Sequence, residues 1–252
     1  MTFKSILVFA FLFFSSILNA QEKLMVNADR PDQTDATYTI EKGYLQLETG
    51  FFLQHSTESK TFGLANVLLR LGVCKNFELR LSGLLVNEKE KTIPSNTGIQ
   101  SSEVGFKLNL LTQKKILPAV SLMSFVTLPF LFSKPFKTGL VQNTTKFLFS
   151  NDLNKTTQLG YNTGVITIKH AKPIWFYTIS LSKALNKELG CFIESYSFFQ
   201  STAKPDFNFD GGFSYSFSDL FVTDIAAGFS ASNSQSYFIT IGFAWLFPGK
   251  IF

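Results

Sequence analysis

From Gly43 onward, stretches of alternating apolar and polar residues are broken at intervals by turn-forming ones. The final stretch, Ser236 to Phe247, shows the pattern well. Tyr237, Ile239, Ile241, Phe243, Trp245 and Phe247 fall on one side of a strand, and Ser236, Phe238, Thr240, Gly242, Ala244 and Leu246 on the other. One side is large and apolar throughout; the other is mostly small. A period of two sends successive side chains to opposite faces of a sheet. The same reading predicts twelve strands, over 42–54, 62–73, 77–87, 100–112, 116–130, 142–150, 156–168, 173–184, 188–199, 208–218, 220–230 and 235–247. Once the N-terminus is set aside, no long stretch keeps the 3.6-residue spacing of a helix.

Length and connections choose among all-β folds. Strands of soluble proteins cluster near about 5–6 residues, whereas a tilted strand crossing a bilayer needs about 9–11. The connections "CKN", "TQKK", "NDLNK", "LNKE" and "SFSD" are short, and those between them are mostly longer. Short turns at one end and longer loops at the other describe an outer-membrane barrel. The apolar run Ile116 to Phe132 could pass for a membrane helix, but Pro118, Pro129 and its hydroxyl residues assign it to a strand. The predicted fold is therefore an all-β, transmembrane, antiparallel up-and-down barrel of about twelve strands.

The polar parity carries charge. Glu48, Arg70, Glu78, Arg80, Glu103 and Lys107 sit mid-strand on the polar side of four consecutive strands. Glu194, Asp210 and Asp224 join them from later strands. The only arginines are Arg30, Arg70 and Arg80. Arginine makes fixed, bidentate pairs with carboxylates, so an organised network inside the barrel is expected. Arg70 and Arg80 should pair with Glu48, Glu78, Glu103 or the acidic segment Asp29–Asp35. Such a network either braces the wall or serves transport.

Composition supports a membrane protein. Of 252 residues, 45% are hydrophobic and only 16% charged, well below the usual quarter. The net charge of +5 comes from scattered lysines, with no basic stripe suited to nucleic acid. Residues 1–20 read as a signal peptide: a charged "MTFK", an apolar core, and a cleavage site after Ala20. Residues 21–41 are too polar for lipid and either hang in the periplasm or fold into the lumen as a plug. Residues 42–252 form the barrel. Cys74 and Cys191 are too few for an exported disulfide framework and read as unpaired, with a single bridge left open. The isolated His55 and His170 offer no metal-ligand spacing, and neither metal nor cofactor is expected.

The segment "NADRPDQTDATYTIEKGYLQLETGF", Asn27 to Phe51, resembles the opening of a family of outer-membrane transporters named for the meta pathway of phenol degradation. Asp29, Arg30, Pro31, Asp32, Thr34, Gly43, Gln46, Glu48 and Gly50 match its opening motif; Asn27-Ala28 departs from it. "LLRLGVCKNFELRLSG" and the later strands resemble the rest of the family more weakly. The resemblance implies a Gram-negative outer-membrane barrel that moves small solutes, with the aromatic link supplied by the family name alone. Outer-membrane lipid, an unidentified solute and the barrel-assembly machinery are the expected partners. The alternatives are a closed structural barrel and a membrane-embedded lipid hydrolase. The latter would need a serine, a histidine and an orienting partner, for which only the adjacent His55 and Ser56 offer a start.

Overall fold

Backbone groups in hydrocarbon have no water to bond, so a sheet that crosses a membrane must close on itself. A computed structural model of the chain, describing residues 24–201, 204–233 and 235–252, meets this requirement. Twelve antiparallel strands form a closed barrel in which each strand pairs with its sequence neighbours and β1 closes on β12. The strands are β1 (Leu45–His55), β2 (Ser59–Cys74), β3 (Phe77–Glu90), β4 (Asn96–Leu111), β5 (Ala119–Thr127), β6 (Gln142–Asp152), β7 (Thr157–Ile168), β8 (Ile174–Ala184), β9 (Leu189–Phe199), β10 (Asp206–Ser218), β11 (Phe221–Ser230) and β12 (Tyr237–Leu246). The signal-peptide expectation, residues 1–20, lies outside the described residues.

The apolar parity faces outward. Phe51 is 60% exposed, Ile193 66% and Ile241 56%, a degree of exposure that suits a lipid-facing surface. Aromatic pairs stand near both ends, among them Trp245 with Phe247 at the short-turn end and Tyr177 with Phe199 at the long-loop end. The opposite parity is buried although polar: Gln46, Glu48, Arg70, Glu78, Arg80 and Lys107 are each at most 2% exposed. Polar side chains thus form the core of this protein and apolar ones its surface. Ile241→Arg, at mid-height on the outer face of β12, is expected to cost about 2–4 kcal/mol. Ser236→Arg, at the loop end, should cost much less. Denaturant titration of the refolded barrel in lipid vesicles checks this, and equal costs would contradict the outward assignment.

Two local expectations need correction. The "HSTESK" connection is not a long loop: β1 and β2 continue to either side of 56–58. The strand predicted over 116–130 is shorter, Ala119–Thr127, and is followed by two 3-10 turns, Pro129–Leu131 and Lys134–Phe136. Each turn has a proline at its start, where the missing N–H is harmless to a turn but would interrupt a ladder. The connection over 128–141 is consequently the longest.

Candidate functional site: a plugged lumen

The segment before β1 has no strand periodicity, yet it carries one backbone N–H and one C=O at almost every residue. These must find partners if they leave water. The barrel wall supplies them. Entering near the β10–β11 turn, where Val26 N donates to the Asp219 carbonyl at 2.7 Å, the chain passes Gln46 of β1. The backbone N–H groups of Asp29 and Arg30 then donate to Glu48 Oε2 at 3.0 and 3.2 Å. The segment crosses the lumen, where Gln33 N donates to Glu194 Oε2 at 2.7 Å and Thr34 Oγ1 meets Thr178 Oγ1, also at 2.7 Å. Thr34 Oγ1 also donates to Glu194 Oε1, and Asp35 pairs with Lys146. It returns along β4 and β5, with the Thr37 carbonyl accepting from Ser121 Oγ at 2.6 Å and Asn109 Nδ2 at 3.1 Å. Ile40 N closes the circuit on Glu78 Oε2 at 2.7 Å. Gly43 then turns the chain into β1 with φ +84°, a conformation costly for any residue with a Cβ. The C-terminus meets this hinge: Ile251 N donates to the Gly43 carbonyl at 2.7 Å.

The charges at the plug's base balance. Asp29, Glu48 and Glu78 face Arg70, Arg80 and Lys107. Arg70 reaches Glu48 at 2.8 Å and Glu78 at 3.0 Å. Arg80 reaches Asp29 at 2.7 Å and Glu78 at 3.1 Å. Lys107 Nζ sits 2.8 Å from Asp29 Oδ2 and donates to the Ala36 carbonyl at 2.7 Å. Arg80 also lies 5.4 Å from the centre of the Phe125 ring. Asp29, from the plug, touches all three wall cations, so plug and wall share one charge system. Burial alone would raise the Asp29 carboxyl, but Arg70, Lys107 and Arg80 together hold it well below the usual carboxylate range.

Not every expected member joins. Glu103 departs from the predicted arginine pairing: it stands opposite Ser82 and accepts from its hydroxyl at 3.3 Å, whereas Arg80 stands opposite Gly105. Glu194 and Asp210 are direct cross-strand partners on β9 and β10, and they sit with Asp32 on the far side of the lumen. Neither Asp210 oxygen has a hydrogen-bond donor among the described residues. The Asp32 carboxyl is pushed well above its ordinary range, first by burial and then by the facing Glu194 and Asp210. Asp224, by contrast, binds Arg30 at 3.0 Å. Pro31 lines cavities on both sides of the crossing. Sequence reasoning missed Lys146, whose single charge within "TTKFLFS" looks like one more scattered lysine. It also missed the hydroxyls of Thr178, Ser121 and Thr240, which carry no distinctive spacing.

These two acids give the seating of the plug two pH limits. Asp29, with its lowered pKa, contributes stability above the ordinary carboxylate range that is lost as pH falls through its lowered value. Asp32, with its raised pKa, contributes stability at lower pH that is lost as pH rises through its raised value. Protease protection of the N-terminal segment should therefore fall as pH drops through the lowered Asp29 value and again as pH rises through the raised Asp32 value. Asp32→Asn should abolish only the loss on raising the pH; an unchanged upper limb would refute this role for Asp32.

The crossing divides the interior. Toward the long loops lies a cavity of about 640 Å³, whose lining includes Phe52, Phe125, Tyr196, Phe198 and Phe238 together with Arg80, Glu103 and Lys146. Toward the short turns lies a second of about 300 Å³, lined mostly by small and polar residues such as Ser150, Gly160, Ser182 and Gly190. Residues 30–32 and Asp35 line both.

A lipid-faced, closed twelve-strand barrel with a polar interior is a bacterial outer-membrane β-barrel. More particularly, the family model described as "Putative MetA-pathway of phenol degradation" matches residues 28–247, and the chain belongs to that family. Among solved structures it is similar to the COG4313 outer membrane channel from Pseudomonas putida F1, with a TM-score of 0.64 at 10% identity, covering 86% of this chain and 99% of that one. It is similar to the KdgM porin in complex with disordered oligogalacturonate, with a TM-score of 0.60 at 7% identity, over 80% and 99% of the two chains. The translocator domain of the autotransporter NalP from Neisseria meningitidis gives 0.50 at 11% identity, over 97% and 98%. At these identities the likeness is one of fold. No curated protein matches the sequence.

Proposed function

We propose that this protein is a gated outer-membrane channel for small solutes, held closed at rest by its own N-terminal segment. The observation that carries the reading is the pair of cavities whose linings share residues 30–32 and Asp35 of the crossing. Without that crossing, a barrel of this strand number has a backbone diameter of about 25 Å before side chains fill it. The outer cavity suits a small amphipathic solute, with aromatic rings on its walls and charged groups on its floor. The family description points to phenolic compounds, and two similar folds are named as a channel and a porin.

A hydrolase reading finds little support. His55 packs against Tyr237 at 5.2 Å between ring centres, and Ser56 Oγ is engaged with Ser59. Among the described residues, the His55 Nδ1 atom has no partner to orient it, as a catalytic base requires. The experiment is uptake of small phenols into proteoliposomes, compared with sugars of similar size. Faster phenol entry than into protein-free vesicles supports the channel. Identical rates with and without protein, at acid, neutral and alkaline pH, would instead favour a closed structural barrel.

A further inference from the structure

Arg30 is held in a way that a simple surface pair is not. Its Nε and Nη2 donate to the two oxygens of Asp224 at 3.2 and 3.0 Å, a side-on fork. Nη2 also donates to Thr240 Oγ1 at 3.1 Å. The Asp224 side chain is 2% exposed and that of Arg30 12%. Beneath the guanidinium the wall is bare. Gly50 of β1 and Gly242 of β12 are direct partners across the closing seam, and Gly242 is also the partner of Asp224. A Cβ built on Gly50 would stand 2.6 Å from Arg30 Cζ, and one on Gly242 would stand equally close. Two facing glycines therefore make a flat recess of guanidinium thickness, with a buried carboxylate and a hydroxyl at its edge. The recess borders the outer cavity, beside Phe52 and Phe238.

We infer that this recess is a guanidinium-binding site which the plug's own Arg30 occupies in the resting protein, so that a solute carrying a guanidinium or amidinium on a small apolar body competes for it and releases the plug. The inference rests on the gated-channel reading for its consequence, though not for the binding itself. The chemistry is specific. A planar fork matches the carboxylate, and a thin cation fits above glycine; an alkylammonium meets the charge and neither the fork nor the recess.

The experiment separates the site from the gate by using a labelling readout rather than conductance. In a background with Cys74→Ser and Cys191→Ser, Thr37→Cys places a thiol on a plug residue that is fully buried. Its rate of reaction with a charged methanethiosulfonate reports release of the plug. Adding Arg30→Ala should raise that rate about tenfold or more, the scale on which one lost charge-assisted fork shifts an equilibrium. With Arg30 gone, a guanidinium has nothing left to displace, so millimolar benzamidine should no longer change the rate in Arg30→Ala. Gly50→Ala supplies a second, independent variant, because the nearest atoms to its new Cβ belong to the Arg30 side chain. It should expose the thiol like Arg30→Ala and be equally indifferent to benzamidine, because the recess is filled. Heat-modifiable migration in gels confirms that each variant has folded. In the Arg30 parent, benzamidine and methylguanidinium at millimolar concentration should speed labelling, and methylammonium should not. Labelling of the parent unchanged by benzamidine, acceleration by methylammonium as great as by methylguanidinium, or labelling unchanged by either variant, would overturn the site. If the recess behaves as described while phenol uptake is absent, the channel reading fails and the site stands.

Discussion

Arg70→Ala is expected to be among the most damaging single substitutions in this barrel, costing about 3–5 kcal/mol. Arg70 is fully buried and has five partners: the carboxylates of Glu48, Glu78 and, at 3.5 Å, Asp29, and the carbonyls of Asn27 and Tyr38. Its loss leaves Glu48 and Glu78 facing each other across the base of the plug, and Arg80 and Lys107 cannot neutralise both as well as Asp29. The cost comes from stranding buried charge; the pairs themselves are not strongly stabilising against a hydrophobic replacement. Arg70→Lys should recover only part of the loss, since one ammonium cannot reproduce the Nε and Nη2 contacts to the two Glu78 oxygens at 3.0 and 3.1 Å. Glu78→Gln in the Arg70→Ala background should be less harmful than either change alone would suggest, because it removes a stranded charge. Equilibrium unfolding of the four proteins in vesicles forms the double-mutant cycle. Additive costs would show that the charges do not act as one system.

Deleting residues 24–38 while keeping the Gly43 turn should have the largest functional effect. The deletion removes Asp29, Arg30 and Asp35, so the Lys107, Lys146 and Asp224 side chains lose their plug partners. The two cavities, about 640 and 300 Å³, should merge into one aqueous path. In planar bilayers the parent is expected to show rare, brief openings and the deletion a steady conductance. The barrel itself should survive, because every wall strand keeps its two ladder neighbours. Silence from a folded, heat-modifiable deletion protein would mean that wall side chains close the lumen unaided.

The barrel was legible in the sequence because a membrane enforces a strict rule: lipid faces apolar side chains and the polar parity goes inside. Leu79, Leu81, Phe213 and Ile225 follow that rule strand after strand. The ends of β5 were not legible. Its apolar run continues past Thr127, and only the positions of Pro129 and Pro135 mark where the ladder stops. The route of residues 24–41 was harder still. A segment that bonds to β1 through β6, β8, β9, β11 and β12 has no period of its own, since its partners come from the wall and not from itself. Polarity therefore left the periplasm and the lumen equally open. Glu103 illustrates a further limit. Parity put it on the correct face, but register decides its height, and register places it against Ser82. The glycine recess was invisible for a different reason: Gly50 and Gly242 meet only when β1 pairs with β12, and a glycine in a strand advertises the absence of a side chain, not what fills the space.

That last pairing also sets an order in time. Half of the floor beneath Arg30 is on the first strand and half on the last, and Asp224 lies 194 residues away along the chain. Until synthesis has delivered the C-terminal strand and the seam has zipped, Arg30 has no berth. Contacts so distant in sequence form late in folding. The seated plug is thus a record of completed closure, written by the segment before β1 about the strand that closes the barrel.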